Sequence, residues 1–586
     1  MTPLRRITLF ALLLAAAAGI GYAAFQLTVA PAPSLTSYAP SGALLTIESP
    51  DFSSLLHAWN HSAEQQRWLK SSDYESFSRS RLFDRLSDAQ QQFATVAGLP
   101  PDTQFLQAVA GSQSLFAWYD IGKLQFLYIT RMPPGGAEHT PLLALRDKFQ
   151  QRQAGGVTFY VRSSADAASG DTSDASSDTG AASTDEHTVA FAVRGEYLLL
   201  ATREDLLASA LEQMAHPSAH TLASDPWYAE AVAEAKEKPG DLRLVLNLKS
   251  VTHSPYFQSY WVQRNITEMR RYKASVSDLY RGDGVFREER FLLKAQDTQS
   301  TQDVDLSPVM HFLPVGVVYR AVAAPTTAQV LAELNDKLLK RGAANIEDTH
   351  IAPVAAQSVP MAGDANDFDN RIDAPEAQFS QPDATTLQPL LDHDTPVAML
   401  SLSSAAALGE RKQGLFQTVQ TGVVLSMNKP CDAEAWKHAL TTTLAPRISA
   451  NEESLHWSAQ SKDSAQWFHL DGPLPLAFAA QGNNCLIASD DASLLAMLSA
   501  PSGSHPEAVT ASVAAGFSHE AQKTPLRKLL ARLDGSNGSG GQPSFFSGNM
   551  VSLSKTFSTL QNETFTESQS SPTLTRQTVT YVWRKP

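Results

Sequence analysis

Two short patterns in this sequence contain residue types that could catalyse a reaction or hold a metal ion. Ser552 and Lys555 have the S-x-x-K spacing, which could bring a lysine amine beside a serine nucleophile, but no S-D-N or K-T-G partner motif follows. His519 and Glu520 begin like the H-E-x-x-H helix of zinc peptidases, but Lys523 stands where the second histidine ligand must be. The sequence therefore favours a protein that is not an enzyme, and we assign no catalytic residue, cofactor or metal ligand.

The two cysteines of the chain, Cys431 and Cys485, are 54 residues apart. If the chain is exported, they lie in an oxidising compartment, where such a pair commonly forms a disulfide. A bond across this spacing would stabilise the fold by about 4 kcal/mol. The alternative is two separate buried thiols.

A segment rich in aromatic and basic residues, from Ser254 to Lys273, is a candidate interfacial patch. Helical spacing would place its aromatic side chains on adjoining rows, with the arginines beyond them. Such a patch could contact a membrane interface or an anionic partner, and the alternative is a stripe that faces the core. The residues of the patch are Tyr256, Phe257, Tyr260, Trp261, Arg264, Arg270 and Arg271.

The N-terminus has the pattern of a membrane anchor. Arg5 and Arg6 precede an apolar run from Ile7 to Phe25, which approaches the roughly 20 residues that a spanning helix needs. Because the basic residues come first, they should remain cytoplasmic while the body crosses the membrane. We therefore predict that residues 1–33 form a cytoplasmic stub and a signal anchor in the inner membrane, with the body periplasmic or extracellular. The alternative is a cleaved signal peptide and release into the periplasm.

Length and composition restrict the class of the body. A chain of 586 residues predicts about four domain-sized units. A net charge of −14 argues against a nucleic-acid partner, because neutralising phosphates requires clustered Lys and Arg. With 43% hydrophobic and 18% charged residues, the body has the composition of a globular protein rather than a multi-span membrane protein.

An internal repeat explains the length. AFAVRGEYLLLAT at Ala190–Thr202 and AFAAQGNNCLIAS at Ala477–Ser489 align without a gap. Each copy reads as a strand, a turn at Gly195 or Gly482, a second strand and then a helix. The strands are separated by turns and short loops more often than by helical crossovers, which is typical of antiparallel sheets. We therefore predict an α+β fold of two tandem duplicated modules, with largely antiparallel sheets and packed helices, behind one N-terminal transmembrane helix.

The predicted modules span residues 34–297 and 307–586. Polar segments of low complexity predict a disordered loop at about 163–187, an acidic linker at about 346–394 and a flexible loop at about 535–543. A helix ending at Gly98 is predicted from an apolar stripe. The stripe consists of Leu82, Phe83, Leu86, Phe93 and Val96.

The chain resembles a bacterial family of exported, membrane-anchored proteins whose domain has no assigned function. The resemblance lies in the export segment, in the opening at Pro40-Ser41-Gly42, in AFAVRGEYLLLATREDLL, and in the stretch from Leu222 to Trp227 before the strand Leu242–Asn247. It covers most of the chain and is clearer in the first module, because the second has no Asp-Pro-aromatic sequence after Ser499. It implies a location in the cell envelope and no catalytic residues.

These observations favour a membrane-anchored, extracytoplasmic binding or scaffolding protein of the bacterial envelope. Its expected partners are the membrane, through the N-terminal helix, and an unknown envelope protein or an apolar ligand. The alternative function is a carrier of a lipid or other apolar ligand, which a continuous apolar pocket would favour. A hydrolase is the third hypothesis.

Overall fold

Alternating short strands and amphipathic helices give this chain an α+β architecture in the computed structural model. The structure describes residues 33–70, 74, 78–79, 81–165, 187–235, 240–254, 269–295, 303–339, 387–411, 414–443, 455–471, 475–500, 509–521 and 560–583. Of the expected anchor at residues 1–33 only Pro33 is described, and the expected loop at about 535–543 lies outside these ranges. Across the ranges that are described, every helix is too short or too polar to span a bilayer.

The first module contains ten strands among the described residues. Its elements are β1 (Leu45–Ser49), α1 (Phe52–Asn60), α2 (Ala63–Leu69), α3 (Arg81–Ala97), α4 (Thr103–Val109), β2 (Gln113–Asp120), β3 (Gln125–Arg131), α5 (Pro141–Ala144), β4 (Gln150–Ala154), β5 (Val157–Ser163), β6 (Thr188–Arg194), β7 (Tyr197–Ala201), α6 (Glu204–Ala215), α7 (Pro226–Ala233), β8 (Leu242–Leu246), α8 (Leu248–Val251), β9 (Tyr272–Gly282) and β10 (Val285–Lys294).

The second module adds ten strands and a short separate ribbon. Its elements are β11 (Val304–Asp305), α9 (Ser307–Met310), β12 (Val318–Ala323), α10 (Thr327–Leu334), a π-helical turn (Asn335–Leu339), α11 (Leu387–His393), β13 (Ala398–Arg411), β14 (Gly414–Ser426), α12 (Ala433–Thr443), β15 (Trp457–Lys462), β16 (Ala465–Leu470), β17 (Leu476–Gln481), β18 (Asn484–Ala488), α13 (Asp491–Leu498), β19 (Thr510–Ala511), β20 (Val513–Ser518), β21 (Leu560–Ser571) and β22 (Leu574–Trp583). The strands β11 and β19 form the ribbon.

The two modules arrange their strands in the same order. From the outer edge inward, the first module runs β4-β5-β6-β7-β3-β2-β1-β8-β9-β10. The second runs β15-β16-β17-β18-β14-β13-β12-β20-β21-β22, and every pair in both modules is antiparallel. Equivalent strands β10 and β22 then pair with each other, with Glu289 opposite Thr578 near the middle. An approximate two-fold axis therefore passes between these residues, and one 20-stranded sheet replaces the separate sheets expected from the sequence.

Helices cover both faces of this sheet. On one face, α6 and α7 pack on the first module, while α9 and α13 pack on the second. On the other face, which we call the cavity face, α3 and α4 cover the first module and α10, α11 and α12 cover the second. The repeated hairpins turn at Gly195 and Gly482, both with φ +59°, as the repeat predicts.

The structure corrects two details of the sequence analysis. The end of the expected linker at 346–394 is helix α11, because Leu387 and Leu391 supply an apolar face that is completely buried. The predicted helix before Gly98 is α3, but Leu86 of its stripe is 43% exposed.

Candidate ligand cavity in the first module

A cavity of about 810 Å³ lies between the cavity face of the first module and the helices above it. Strands β2, β3, β6 and β7 form one wall, and α1, α3 and α4 form the other. This volume falls within the roughly 300–1,000 Å³ of typical small-molecule sites. The cavity is therefore large enough to bind a ligand rather than a few water molecules.

Four aromatic side chains, which we call the aromatic floor, line the sheet side of the cavity. They are Phe116, Trp118, Phe126 and Tyr128. Alternation along β2 and β3 places all four on one face, because Phe116 lies opposite Tyr128 and Trp118 lies opposite Phe126. The rings of Phe116 and Phe126 stack with centroids 4.5 Å apart. The floor is thus a continuous apolar surface.

The polar atom of Tyr128 is not available for chemistry in the cavity. Its hydroxyl donates to the carbonyl of Val109 at 2.9 Å and lies 3.1 Å from the Ser114 hydroxyl. Burial raises the pKa of the Tyr128 phenol above its ordinary value. The phenol therefore stays neutral and serves to join β3 to the end of α4.

A strained turn between β2 and β3 forms part of the rim. Leu124, which lines the cavity, has φ +52°, a conformation that costs energy for a residue with a side chain. The Lys123 amide donates to Asp120 at 3.0 Å, and the Thr202 hydroxyl accepts from the Phe126 amide at 2.9 Å. These bonds hold the turn in place and leave the exposed Lys123 side chain at the rim.

Helices α1–α4, which we call the helical cap, rest on few buried side chains. Asp51 accepts from the Ser54 amide at 3.0 Å and Asp102 from the Phe105 amide at 2.8 Å, so α1 and α4 both begin at capped ends. No residue of α1 is buried, however, and α4 buries Phe105 and Val109. The cap is therefore held mainly at α4 and at the end of α3, with the cavity beneath the rest.

The second module has no aromatic floor at the equivalent positions. The equivalent positions follow from the strand registers. Leu200 and Ile487 correspond in the repeated hairpins, and the residues opposite them on the next two strands, β3 and β2 in the first module and β14 and β13 in the second, therefore correspond as well. The equivalents of Phe116, Trp118, Phe126 and Tyr128 are Ser401, Ser403, Thr421 and Val423. Three small hydroxyl side chains and a valine replace four rings.

The π-helical turn fills the corresponding space in the second module. The Lys337 ammonium donates to the Ser403 hydroxyl at 3.1 Å, and the Lys337 carbonyl accepts from the Thr421 hydroxyl. Val330, Leu334 and Leu338 beside it are fully buried. Backbone and side chains thus contact the sheet directly where the first module has a cavity.

A row of buried ionisable residues crosses the opposite face of the first module, but it does not line the cavity. Arg243 donates two hydrogen bonds to Asp278, at 2.7 and 2.8 Å, and both side chains are buried. Glu48 lies beside Arg243 in the register and accepts from the Tyr228 hydroxyl, and Glu289 lies beside Asp278. Although part of Glu48 remains exposed, desolvation of its carboxylate raises its pKa.

The structure joins Cys431 and Cys485 in a disulfide, with Cα atoms 5.5 Å apart. The Cys431 amide donates to the Gly482 carbonyl at 2.9 Å, and Cys485 is fully buried on β18. The bond connects the segment before α12 to the repeated hairpin. It lies in the second module and takes no part in the cavity.

Most of the interfacial patch cannot be placed. Tyr256, Phe257, Tyr260, Trp261 and Arg264 lie outside the described residues. Arg270 and Arg271 are described and come just before β9, and neither lines the cavity.

Ser552 and Lys555 also lie outside the described residues. His519 is described, and its Nε2 lies 3.5 Å from the Glu563 carboxylate. Among the side chains that the structure describes, no three His, Cys, Asp or Glu residues are grouped to hold a metal ion.

Comparison with known proteins gives no family. No family model matches the chain, and no curated protein matches it. Crystal forms IV and I of TP0453 each superpose with a TM-score of 0.23 at 10% identity, covering 46% and 44% of this chain and 83% and 77% of theirs. Crystal form III gives a TM-score of 0.22 at 9% identity. Scores this low support no inference about fold or function.

Proposed function

We propose that this protein is a membrane-anchored carrier of the bacterial cell envelope, and that its first module binds a lipid or another ligand with a large apolar part. The observation that carries the proposal is the 810 Å³ cavity above the aromatic floor. The envelope location rests on the sequence alone, through Arg5, Arg6 and the apolar run Ile7–Phe25.

The lining of the cavity favours an apolar ligand. The sheet side presents four rings, and the cap side adds Phe52, Phe93 and Phe105. Rings on both walls can make close dispersion contacts with an apolar ligand that fills the space between them. The polar groups at the rim, such as Lys123 and Gln125, could contact a polar end of the ligand.

A binding titration with a fluorescent fatty acid tests this proposal. We expect saturable binding of cis-parinaric acid to the body of the protein from Pro31. Ala89 lines the cavity from α3, so Ala89→Trp should fill the space and weaken binding by about tenfold or more.

Gln91→Trp is the matched control. Gln91 lies on the same helix but is exposed and does not line the cavity, so this variant should bind the probe as the wild type does. The proposal is wrong if the wild type shows no saturable binding or if Ala89→Trp binds as tightly as Gln91→Trp. Either result would return the protein to the partner-binding or scaffolding hypothesis.

A further inference from the structure

The helical cap carries most of the large apolar side chains that the described residues leave exposed. Four of the seven such side chains belong to it, namely Trp59, Leu69, Leu86 and Leu106, with exposed fractions of 42%, 49%, 43% and 39%. Single exposed apolar residues are normal on a soluble surface, but a group of them on one layer of helices indicates an interaction surface.

This exposed surface is continuous with the cavity. Leu86 and Leu106 both line the cavity and reach solvent, so they form its rim. Phe52 of α1 lines the cavity, and Trp59, two helical turns later, lies on the same face of that helix. An apolar stripe on α1 thus runs from the cavity out to solvent.

We propose that the outer surface of the helical cap docks onto a lipid bilayer, from which the cavity takes up its ligand. This inference rests on the function proposed above. An apolar ligand dissolves poorly in water, so a carrier needs an apolar phase at the mouth of its cavity with which to exchange it. A bilayer is such a phase, and the predicted anchor would hold the body of the protein at one.

A fluorescent label at the cap tests the docking. The full-length chain would carry Leu69→Cys labelled with an environment-sensitive nitrobenzoxadiazole dye, in vesicles of phosphatidylethanolamine and phosphatidylglycerol. The native cysteines are bonded to each other and do not react with the dye. We expect the emission to shift to shorter wavelength relative to the same chain in amphipol. Val315→Cys in the second module, where Val315 is 77% exposed, is the control and should not shift.

Three outcomes would overturn the docking proposal. They are the absence of a shift at position 69, an equal shift at positions 69 and 315, and a shift that appears without vesicles and grows with protein concentration. The last would assign the surface to a second copy of this chain.

Ligand transfer separates docking from cavity binding. Trp59 and Leu69 do not line the cavity, so Trp59→Glu/Leu69→Glu should retain binding of cis-parinaric acid. It should slow transfer of a fluorescent phospholipid between vesicles by about fivefold or more, whereas Val315→Glu should not. Unchanged transfer in the double variant would contradict docking. A wild type that does not bind the probe would instead contradict the proposed function. The label at position 69 would still report whether the cap docks onto the bilayer.

Discussion

The two modules share ten strands in one order, yet the cavity faces of their sheets differ. In the first module, four rings line the sheet beneath the helical cap, with a cavity between part of the cap and the sheet. In the second, Ser403 and Thr421 stand at two of the equivalent positions, and Lys337 hydrogen-bonds to both. Side chains on the sheet and the elements that cover it thus differ between the modules, even though the order of the strands is the same.

The opposite face differs in charge. The first module has a row of four ionisable residues here, and the strand registers give their equivalents in the second module. Glu48, Arg243, Asp278 and Glu289 correspond to Ala321, Ala514, Thr566 and Thr578, in that order. One module therefore has a buried ion pair on this face, where the other has small neutral side chains.

The largest effect is expected for Asp278→Ala. Arg243 would lose both hydrogen bonds to its carboxylate while remaining buried, which should lower the free energy of unfolding by about 3–5 kcal/mol. Thr566→Ala, at the equivalent half-buried position, should cost about 1 kcal/mol or less. Urea denaturation of both variants measures the contrast.

A double variant controls for the loss of charge itself. Arg243→Leu/Asp278→Leu removes both charges of the pair together, so it should be more stable than Asp278→Ala, in which the Arg243 charge stays buried without its Asp278 partner. If the double variant were the less stable of the two, the ion pair would be a net source of stability and the argument from an unpaired charge would fail.

The next contrast concerns packing above the sheet. Leu334 is fully buried where the second module is filled, so Leu334→Ala should cost about 2–5 kcal/mol. Leu86 lies on the rim of the first-module cavity and is 43% exposed, so Leu86→Ala should cost less than about 1 kcal/mol. Equal losses in urea denaturation would show that the cap is as tightly packed as the second module.

The disulfide provides a third contrast. Leu198 occupies the position in the first module that matches Cys485, so only the second module is cross-linked there. Cys431→Ala/Cys485→Ala should lower the free energy of unfolding by about 2–4 kcal/mol. Hydrogen exchange should locate the loss in β17 and β18 and spare β6 and β7. Unchanged stability under oxidising conditions would mean that the bond does not form in the folded protein.

The repeat could be recognised from the sequence because it has local causes. Gly195 and Gly482 occupy turns that require positive φ, and alternating apolar residues on either side predict the paired strands. The joining of β10 to β22 had no such signal. Its partners are almost 300 residues apart in the sequence, and register between distant strands leaves no periodic trace.

The cavity could not be predicted for a related reason. Phe116 and Trp118 are two residues apart, as are Phe126 and Tyr128, so the sequence predicts two strands that share one aromatic face. Other side chains usually pack against such a face. Whether helices pack closely onto this face depends on distant residues such as Leu86. The apolar stripe of its helix α3 resembles that of a buried helix, although Leu86 itself is 43% exposed. A cavity arises when several distant packing choices combine, and no single segment encodes it.

The smallest expected effect is a pH dependence that Glu48 gives to the first module. Desolvation raises the pKa of Glu48 in the folded state above the ordinary carboxyl value of 4.5, despite hydrogen bonding from Tyr228 and the charge of Arg243. Above that value the unfolded chain releases a proton that the folded protein retains, so stability falls as the pH rises toward the folded pKa. Glu48→Gln has no such proton to lose. Its stability relative to the wild type should therefore improve as the pH is raised from about 5, measured by urea denaturation.

The exposed carboxylate Asp463 of the second module, changed to Asn, controls for a general effect of removing one charge. The second module has the buried Ala321 at the position of Glu48 and cannot contribute the same proton. A constant difference between Glu48→Gln and the wild type across this pH range would mean that the Glu48 carboxylate is ionised in both states. Ion pairing would then keep Glu48 charged over this whole pH range, and burial would not set its protonation.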